Sequence, residues 1–179
     1  NCTNGSAKDT TKNMGSISVY GSATKNLYIG GLYSLVNLEE SISFENCYNY
    51  ANIIIDVNKA NDYIIGGILG YGTDDTISLN LKGNIENQGN ITIGNSSQAT
   101  KTIGTNLRIG GIVGILLTNS RDVSLTSCTI LNKGNITINK SISVTKAVNV
   151  GGFIGSAQAL ITGDTNSIIT NSGKIWYDG

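Results

Sequence analysis

The 179-residue chain contains no proline and no histidine, and only 13% of its residues are charged. Without histidine it lacks the commonest side-chain ligand for zinc, copper and haem iron. The absence of proline suits a protein built of internal strands, because such strands donate their backbone N–H groups to a neighbour. The three cysteines form no CxxC motif of the metal-binding or redox type. We therefore expect no metal and no cofactor.

Clusters of like charge and long apolar runs are also missing. Twelve basic residues balance twelve acidic ones, and no stretch is rich in lysine or arginine. A nucleic-acid partner would require a positive surface to displace the counterions of phosphate, so we expect none. No apolar run approaches the length of about 18 residues that spans a bilayer, so direct membrane insertion is not expected.

Isoleucine (26 residues), asparagine (23) and glycine (23) dominate instead. Isoleucine is β-branched and favours strands, whereas asparagine and glycine favour turns. Apolar residues make up 39% of the chain, which is too many for a disordered protein of zero net charge. The composition therefore predicts an all-β protein.

Two motifs alternate along the chain. The first is an apolar-x-apolar-Gly-Gly-apolar-apolar segment, whose glycine pairs are Gly30-Gly31, Gly66-Gly67, Gly110-Gly111 and Gly151-Gly152. The second is an Asn-x-Gly-x-Ile segment, or Asn-x-Ala-x-Ile in its first copy here, whose leading residues are Asn49, Asn87, Asn132 and Asn171. Glycine and asparagine accept a positive φ at low cost, so we interpret both motifs as structural turns. Asparagine side chains stacked at such corners can also bond to the next coil.

The motifs divide one domain, residues 1–179, into repeat units of about 40 residues, approximately 13–48, 49–86, 87–131 and 132–170. Each unit splits into halves of about 20 residues with one period-2 strand each. Taking each half as one coil predicts a right-handed parallel β-helix (solenoid) of about nine short coils. Ile29, Ile65, Ile109 and Val150 would then stack in one inward column, and Ile53, Ile91, Ile136 and Ile175 in another. The intervening residues Tyr28, Ile64, Arg108 and Asn149 would face solvent. A β-sandwich is the second candidate fold, and it would break such columns.

The segments Gly66-Gly67-Ile68-Leu69-Gly70 and Gly110-Gly111-Ile112-Val113-Gly114 resemble the GLUG repeat, which is named for its Gly-Leu-apolar-Gly signature. The resemblance covers almost the whole chain. GLUG repeats occur in large secreted and surface proteins, including adhesin-like ones. The resemblance implies a rod-like extracellular or cell-surface repeat, a slice of a longer surface protein, with no catalytic residues to carry over.

Tyrosines are the candidate ligand-binding residues, since seven of the eight lie within the first 71 residues. Strand alternation places Tyr28, Tyr48 and Tyr50 outward or at corners, where their rings could stack on a sugar or anchor a protein. Tyr33 and Tyr63 are expected to fill the interior. We therefore predict a non-enzymatic adhesin or rod-like stalk that binds a host or matrix glycan or protein.

A polysaccharide-processing β-helix enzyme (a lyase or glycosidase), or its non-catalytic substrate-binding part, is the alternative. Such chemistry needs converging carboxylates or a calcium site. The adjacent acidic pairs Glu39-Glu40 and Asp74-Asp75 both lie in connecting segments. Asp56 and Asp62 could approach a strand face, but no spacing places two carboxylates at matched positions of successive repeats.

The cysteines are expected to be three free and mostly buried thiols. Asn1-Cys2-Thr3-Asn4 matches Asn46-Cys47-Tyr48-Asn49, which places Cys2 and Cys47 in one column. With coils of about 20 residues, the two would lie two rungs and ~10 Å apart, too far for a disulfide.

Overall fold

Parallel pairing between strands about one repeat apart organises the protein, whose structure is a computed structural model. It describes residues 1–5, 15–36, 42–58, 60–73, 78–95, 101–103, 106–117 and 122–177. The secondary-structure elements in these ranges are all β-strands, and every pair of neighbouring strands is parallel. The all-β, parallel β-helical class is therefore confirmed.

The strands of the described residues are β1 (Cys2–Asn4), β2 (Ser16–Ser22), β3 (Leu27–Gly30), β4 (Tyr33–Val36), β5 (Ile42–Asn49), β6 (Asn52–Asn58), β7 (Asp62–Gly66), β8 (Leu69–Thr73), β9 (Leu79–Asn87), β10 (Ile91–Ile93), β11 (Lys101–Ile103), β12 (Asn106–Gly110), β13 (Val113–Leu117), β14 (Asp122–Asn132), β15 (Ile136–Ile138), β16 (Ile142–Val144), β17 (Ala147–Gly151), β18 (Ile154–Ala157), β19 (Leu160–Gly163), β20 (Ile168–Asn171) and β21 (Ile175–Tyr177).

Four main sheets run along the coil axis. Sheet I is β1-β5-β9-β14, with both β19 and β20 paired to β14, and sheet II is β2-β6-β10-β15-β21. Sheet III contains β3, β7, β12 and β17, and sheet IV contains β4, β8, β13 and β18. A two-stranded sheet, β11-β16, accompanies them. The chain visits sheets I to IV in turn and then returns to sheet I, which defines one coil.

The coil is twice as long as the sequence suggested. Ile65 pairs with Ile29 on one side and with Ile109 on the other, so a full repeat unit separates neighbouring rungs. The expectation of about nine coils is wrong, because the two halves of each unit lie in different sheets and do not stack on one another. Sheets I and II hold five rungs each and sheets III and IV hold four. At ~4.8 Å per rung, the stack is roughly 20 Å long.

The predicted inward columns are confirmed. Ile29, Ile65, Ile109 and Val150 are in-register partners along sheet III. A second column along sheet II contains Ile53, Ile91, Ile136 and Ile175. The first three members of this second column are completely buried. Each such isoleucine contributes about 1.5–3 kcal/mol by leaving water, so these columns stabilise the coil stack.

The interior consists of two separate hydrophobic cores. One core packs side chains of sheets I and IV, including Leu81 and Val113, and the other packs side chains of sheets II and III, including Ile53 and Ile65. Between them, the two sequence motifs meet. A Cβ added to Gly67 would lie 2.5 Å from Cγ of Asn87. We call this narrow region between the cores the waist.

A ladder of asparagine amides runs through the waist. Nδ2 of each member donates to Oδ1 of the next, over 3.1 Å (Asn4 to Asn49), 2.8 Å (Asn49 to Asn87), 2.9 Å (Asn87 to Asn132) and 2.7 Å (Asn132 to Asn171). From Asn49 onward, Nδ2 also donates to the carbonyl oxygen two residues later. Among the described residues no buried side-chain nitrogen or oxygen is left without a partner. The predicted bonding of stacked asparagines between coils is confirmed.

The glycine pairs serve close packing. None of their eight glycines has a φ in the left-handed region, so the expected need for positive φ is wrong at these positions. Instead, a Cβ on Gly67 would collide with the carbonyl oxygen of Gly111, and one on Gly66 would collide with that of Leu69. Because these glycines have no side chain, their backbone packs directly against the asparagine ladder and the neighbouring coil.

We expect Gly67→Ala to lower the free energy of unfolding by about 3 kcal/mol or more, because the new methyl group overlaps backbone and ladder atoms. Gly163→Ala is the matched control, since its Cβ would meet only ordinary contacts of 3.6 Å or more at a position without positive φ. Chemical denaturation followed by circular dichroism measures both. Equal stability of the two variants would contradict the close-packing explanation.

Asn87→Ala tests the ladder itself. This substitution leaves two buried groups, Nδ2 of Asn49 and Oδ1 of Asn132, without their amide partners. We expect each unpaired group to lower the free energy of unfolding by about 1–3 kcal/mol. Asn84→Ala, at an exposed position of the same strand, should change stability by less than about 0.5 kcal/mol. Thermal and denaturant unfolding of both variants checks this prediction, and similar losses would show that the ladder is energetically unimportant.

Candidate functional site

The turn at each glycine pair folds the outer faces of sheets III and IV toward each other. Ile64 and Ile115 lie on these outer faces and belong to neither core, yet they are only 3% and 2% exposed. Sequence alternation had placed Ile64 in solvent, and this expectation is wrong. The two isoleucines instead form the floor of a groove on the outside of the coil. We call it the outer groove.

The outer groove encloses a cavity of about 250 Å³. Its lining comes from four successive coils, so the groove runs along the coil axis. The lining residues are Asn26, Tyr28, Asp62, Ile64, Tyr71, Arg108, Ile115, Ser156 and Gln158.

An aromatic pair lies at one end of the groove. The rings of Tyr28 on β3 and Tyr71 on β8 are stacked, with centroids 4.9 Å apart and planes 10° from parallel. Nδ2 of Asn26 donates to the hydroxyl of Tyr28 over 3.0 Å. The stacking and this hydrogen bond restrict the rotamers of the pair, so the groove presents its aromatic surface in a defined orientation.

Polar side chains occupy the middle of the groove. Nη1 of Arg108 lies 3.5 Å from Oδ2 of Asp62, and the two side chains are only 24% and 21% exposed. Nδ2 of Asn106 donates to Oδ1 of Asp62 over 2.8 Å. These contacts come from neighbouring rungs of sheet III, which places a guanidinium, a carboxylate and an amide beside the aromatic pair.

Of the three tyrosines expected to bind ligand, the structure separates Tyr28 from Tyr48 and Tyr50. Tyr28 lies in the outer groove, whereas Tyr48 lies at the end of β5 in sheet I and stacks on Tyr50, with centroids 6.1 Å apart. Tyr50 is only 7% exposed, and burial raises the pKa of its hydroxyl. Tyr50 thus lies at a corner, one of the two expected placements, but it is buried there beside the ladder residue Asn49 and offers little surface to a ligand. Tyr48 remains half-buried.

The tyrosines assigned to the interior are confirmed there. Tyr63 is completely buried, and its hydroxyl donates to the carbonyl oxygen of Val57 over 2.5 Å. Tyr33 stacks on the buried ring of Phe44, with centroids 4.9 Å apart.

A second concavity of about 330 Å³ lies on the outer face of sheet II. It contains the exposed ring of Tyr20 and the buried carboxylate of Asp56. Although it is larger, its lining contains a single aromatic ring, whereas the outer groove combines a stacked pair of rings with the Asp62–Arg108 ion pair. The outer groove is therefore the better candidate for specific binding.

The acidic pairs Glu39-Glu40 and Asp74-Asp75, considered for catalysis or calcium, lie outside the described residues. Within the described ranges, no three His, Cys, Asp or Glu side chains come close enough together to hold a metal ion. The same ranges contain no helix of sufficient length and apolarity to cross a bilayer.

Sequence reasoning missed Tyr71, Asp62 and Arg108 as a group. Arg108 was placed in the same outward column as Tyr28 and Ile64, which the register of sheet III confirms. That column alone did not indicate a site, because half of the groove comes from sheet IV. The angle between the two sheets, which brings Tyr71 over Tyr28, is not encoded in the alternation of either strand.

No protein-family model matches the chain, and comparisons with curated proteins and with solved structures give no match either.

Proposed function

We propose that this chain is a non-enzymatic repeat segment of a secreted or cell-surface protein, and that its outer groove binds a sugar of a host or matrix glycan. The observation that carries the proposal is the stacked Tyr28–Tyr71 pair beside the Asp62–Arg108 ion pair in one groove. The resemblance to GLUG repeats supports the surface location. Such a segment acts as a rod-like adhesin.

The chemistry of the groove suits a carbohydrate. A pyranose ring presents apolar C–H groups on its faces and hydroxyl groups around its edge. Tyrosine rings supply flat apolar surface at low entropic cost, which suits the C–H faces. The carboxylate of Asp62 accepts hydrogen bonds from hydroxyls, and the guanidinium of Arg108 and the amide of Gln158 can donate to them.

The stacked coils support a mechanical role. The ladder and the isoleucine columns join every rung to the next, so a ligand held in the groove is connected to the whole stack. Repetition of such units along a rod would place several binding grooves on one molecule. Linked weak sites raise avidity without any new contact, provided that the ligand can reach them together.

The test is a screen of the purified chain against arrays of host glycans and extracellular proteins. We expect glycan binding that weakens about tenfold in Tyr28→Ala and in Tyr71→Ala, which corresponds to about 1.4 kcal/mol of lost stacking. Tyr48→Ala is the matched control, because Tyr48 is a half-buried tyrosine on another sheet. Thermal unfolding of every variant verifies that it remains folded.

Three results would contradict the proposal. Binding that survives both groove variants but is lost in Tyr48→Ala would place the adhesive surface at the end of β5. If the folded protein binds nothing on the arrays, the segment is a passive spacer. Cleavage of a polysaccharide by the protein, detected as new chain ends, would show that the protein is a polysaccharide-processing enzyme.

A further inference from the structure

The corrected coil length brings Cys2 and Cys47 next to each other. Cys2 on β1 and Cys47 on β5 are in-register partners of a parallel pair, one rung apart. The expectation that they lie two rungs and ~10 Å apart is therefore wrong. Neighbouring strands are separated by ~4.8 Å, which falls within the Cα–Cα range of about 4.4–6.8 Å found in disulfides.

The two thiols differ in accessibility and acidity. Cys2 is half-buried, and its Sγ lies 3.4 Å from the hydroxyl oxygen of Tyr33. This hydrogen bond lowers the pKa of the Cys2 thiol. Cys47 is only 1% exposed, and burial raises the pKa of its thiol. Cys2 is thus the more accessible and the more readily ionised of the two thiols, and an external reagent reacts with it first. Cys47 is buried and can react only in the second step.

Cys128 provides an internal comparison. It is buried, and its in-register partner on β9 is Gly83, so no thiol faces it across the strand pair. Its Sγ lies 3.8 Å from Oγ of Ser167. All three cysteines are free thiols in this structure.

We propose that Cys2 and Cys47 are a thiol pair that closes to a disulfide between the first and second coils when a small-molecule disulfide such as oxidised glutathione is present. The Cys2 thiolate attacks one glutathione sulfur, whose S–S bond breaks and releases a glutathione thiolate. The Cys47 thiol then loses its proton, and its sulfur attacks Sγ of Cys2 and expels the second glutathione thiolate. The two protein thiols lose two hydrogens in total, and oxidised glutathione becomes two reduced molecules.

The link would secure β1 in sheet I. β1 contains three residues and, among the strands of the described ranges, pairs only with β5, so it depends on few contacts. Its Asn4 is the first member of the ladder and also donates to the carbonyl oxygen of Gly31 over 2.8 Å. A covalent bond at Cys2 therefore holds β1, and with it Asn4, against the ladder and the waist. Because it spans a complete coil, it also restricts the unfolded chain.

The experiment exposes the native, reduced protein to oxidised glutathione and then counts free thiols after denaturation. We expect one remaining thiol per chain, Cys128, and a peptide map in which Cys2 and Cys47 are joined with the loss of two hydrogens. Cys47→Ser should accumulate a glutathione adduct on Cys2, because no second thiol is present to displace it. Cys128→Ser is the matched control, and it should form the same link with no thiol remaining.

Thermal unfolding gives an independent measurement. Oxidation should raise the midpoint by about 5 °C or more in wild type and in Cys128→Ser, and should leave Cys2→Ser unchanged. Three free thiols after incubation, a stable glutathione adduct on wild-type Cys2, a link that involves Cys128, or an oxidised form with a lower midpoint would each overturn the proposal. None of these readouts depends on glycan binding, so failure here is distinct from failure of the groove.

Discussion

The amide ladder at the waist is the interaction on which the rest of the structure depends. Five asparagines, one from each rung of sheet I, bond in series, and the three inner ones, Asn49, Asn87 and Asn132, are at most 1% exposed. A buried amide without partners is costly, so each rung is stable only in the register that continues the ladder. The ladder thereby fixes the register of all four sheets, since the same asparagines end the strands of sheet I.

The glycine pairs and the outer groove follow from the ladder. Because the asparagine side chains fill the waist, the facing residues can carry no Cβ, and the chain turns there from sheet III into sheet IV. The same turn faces the outer sides of these sheets toward each other and buries Ile64 and Ile115 outside the cores. A packing requirement of the interior thus generates the surface feature to which we assign binding.

Much of the fold could be predicted from local pattern, and two of the errors share one cause. Alternation correctly identified Ile65 as inward and Tyr63 as interior, because the period of a strand is set by its own residues. The number of coils and the separation of Cys2 from Cys47 were wrong, since both depend on which strands pair. A repeat with two halves of equal length can form two short coils or one long coil. The local pattern of each strand is the same in both arrangements, so it does not distinguish between them.

The sequence by itself determined the parallel β-helical class, the isoleucine columns and the stacking of the motif asparagines. Each of these follows from residue type and a repeat spacing that any coil must respect. Only the tertiary structure decided that a coil takes a full repeat, that Tyr71 covers Tyr28, that Tyr50 is buried and that two cysteines become neighbours. These features depend on contacts between residues far apart in the chain, and the packing of four sheets around the waist selects them.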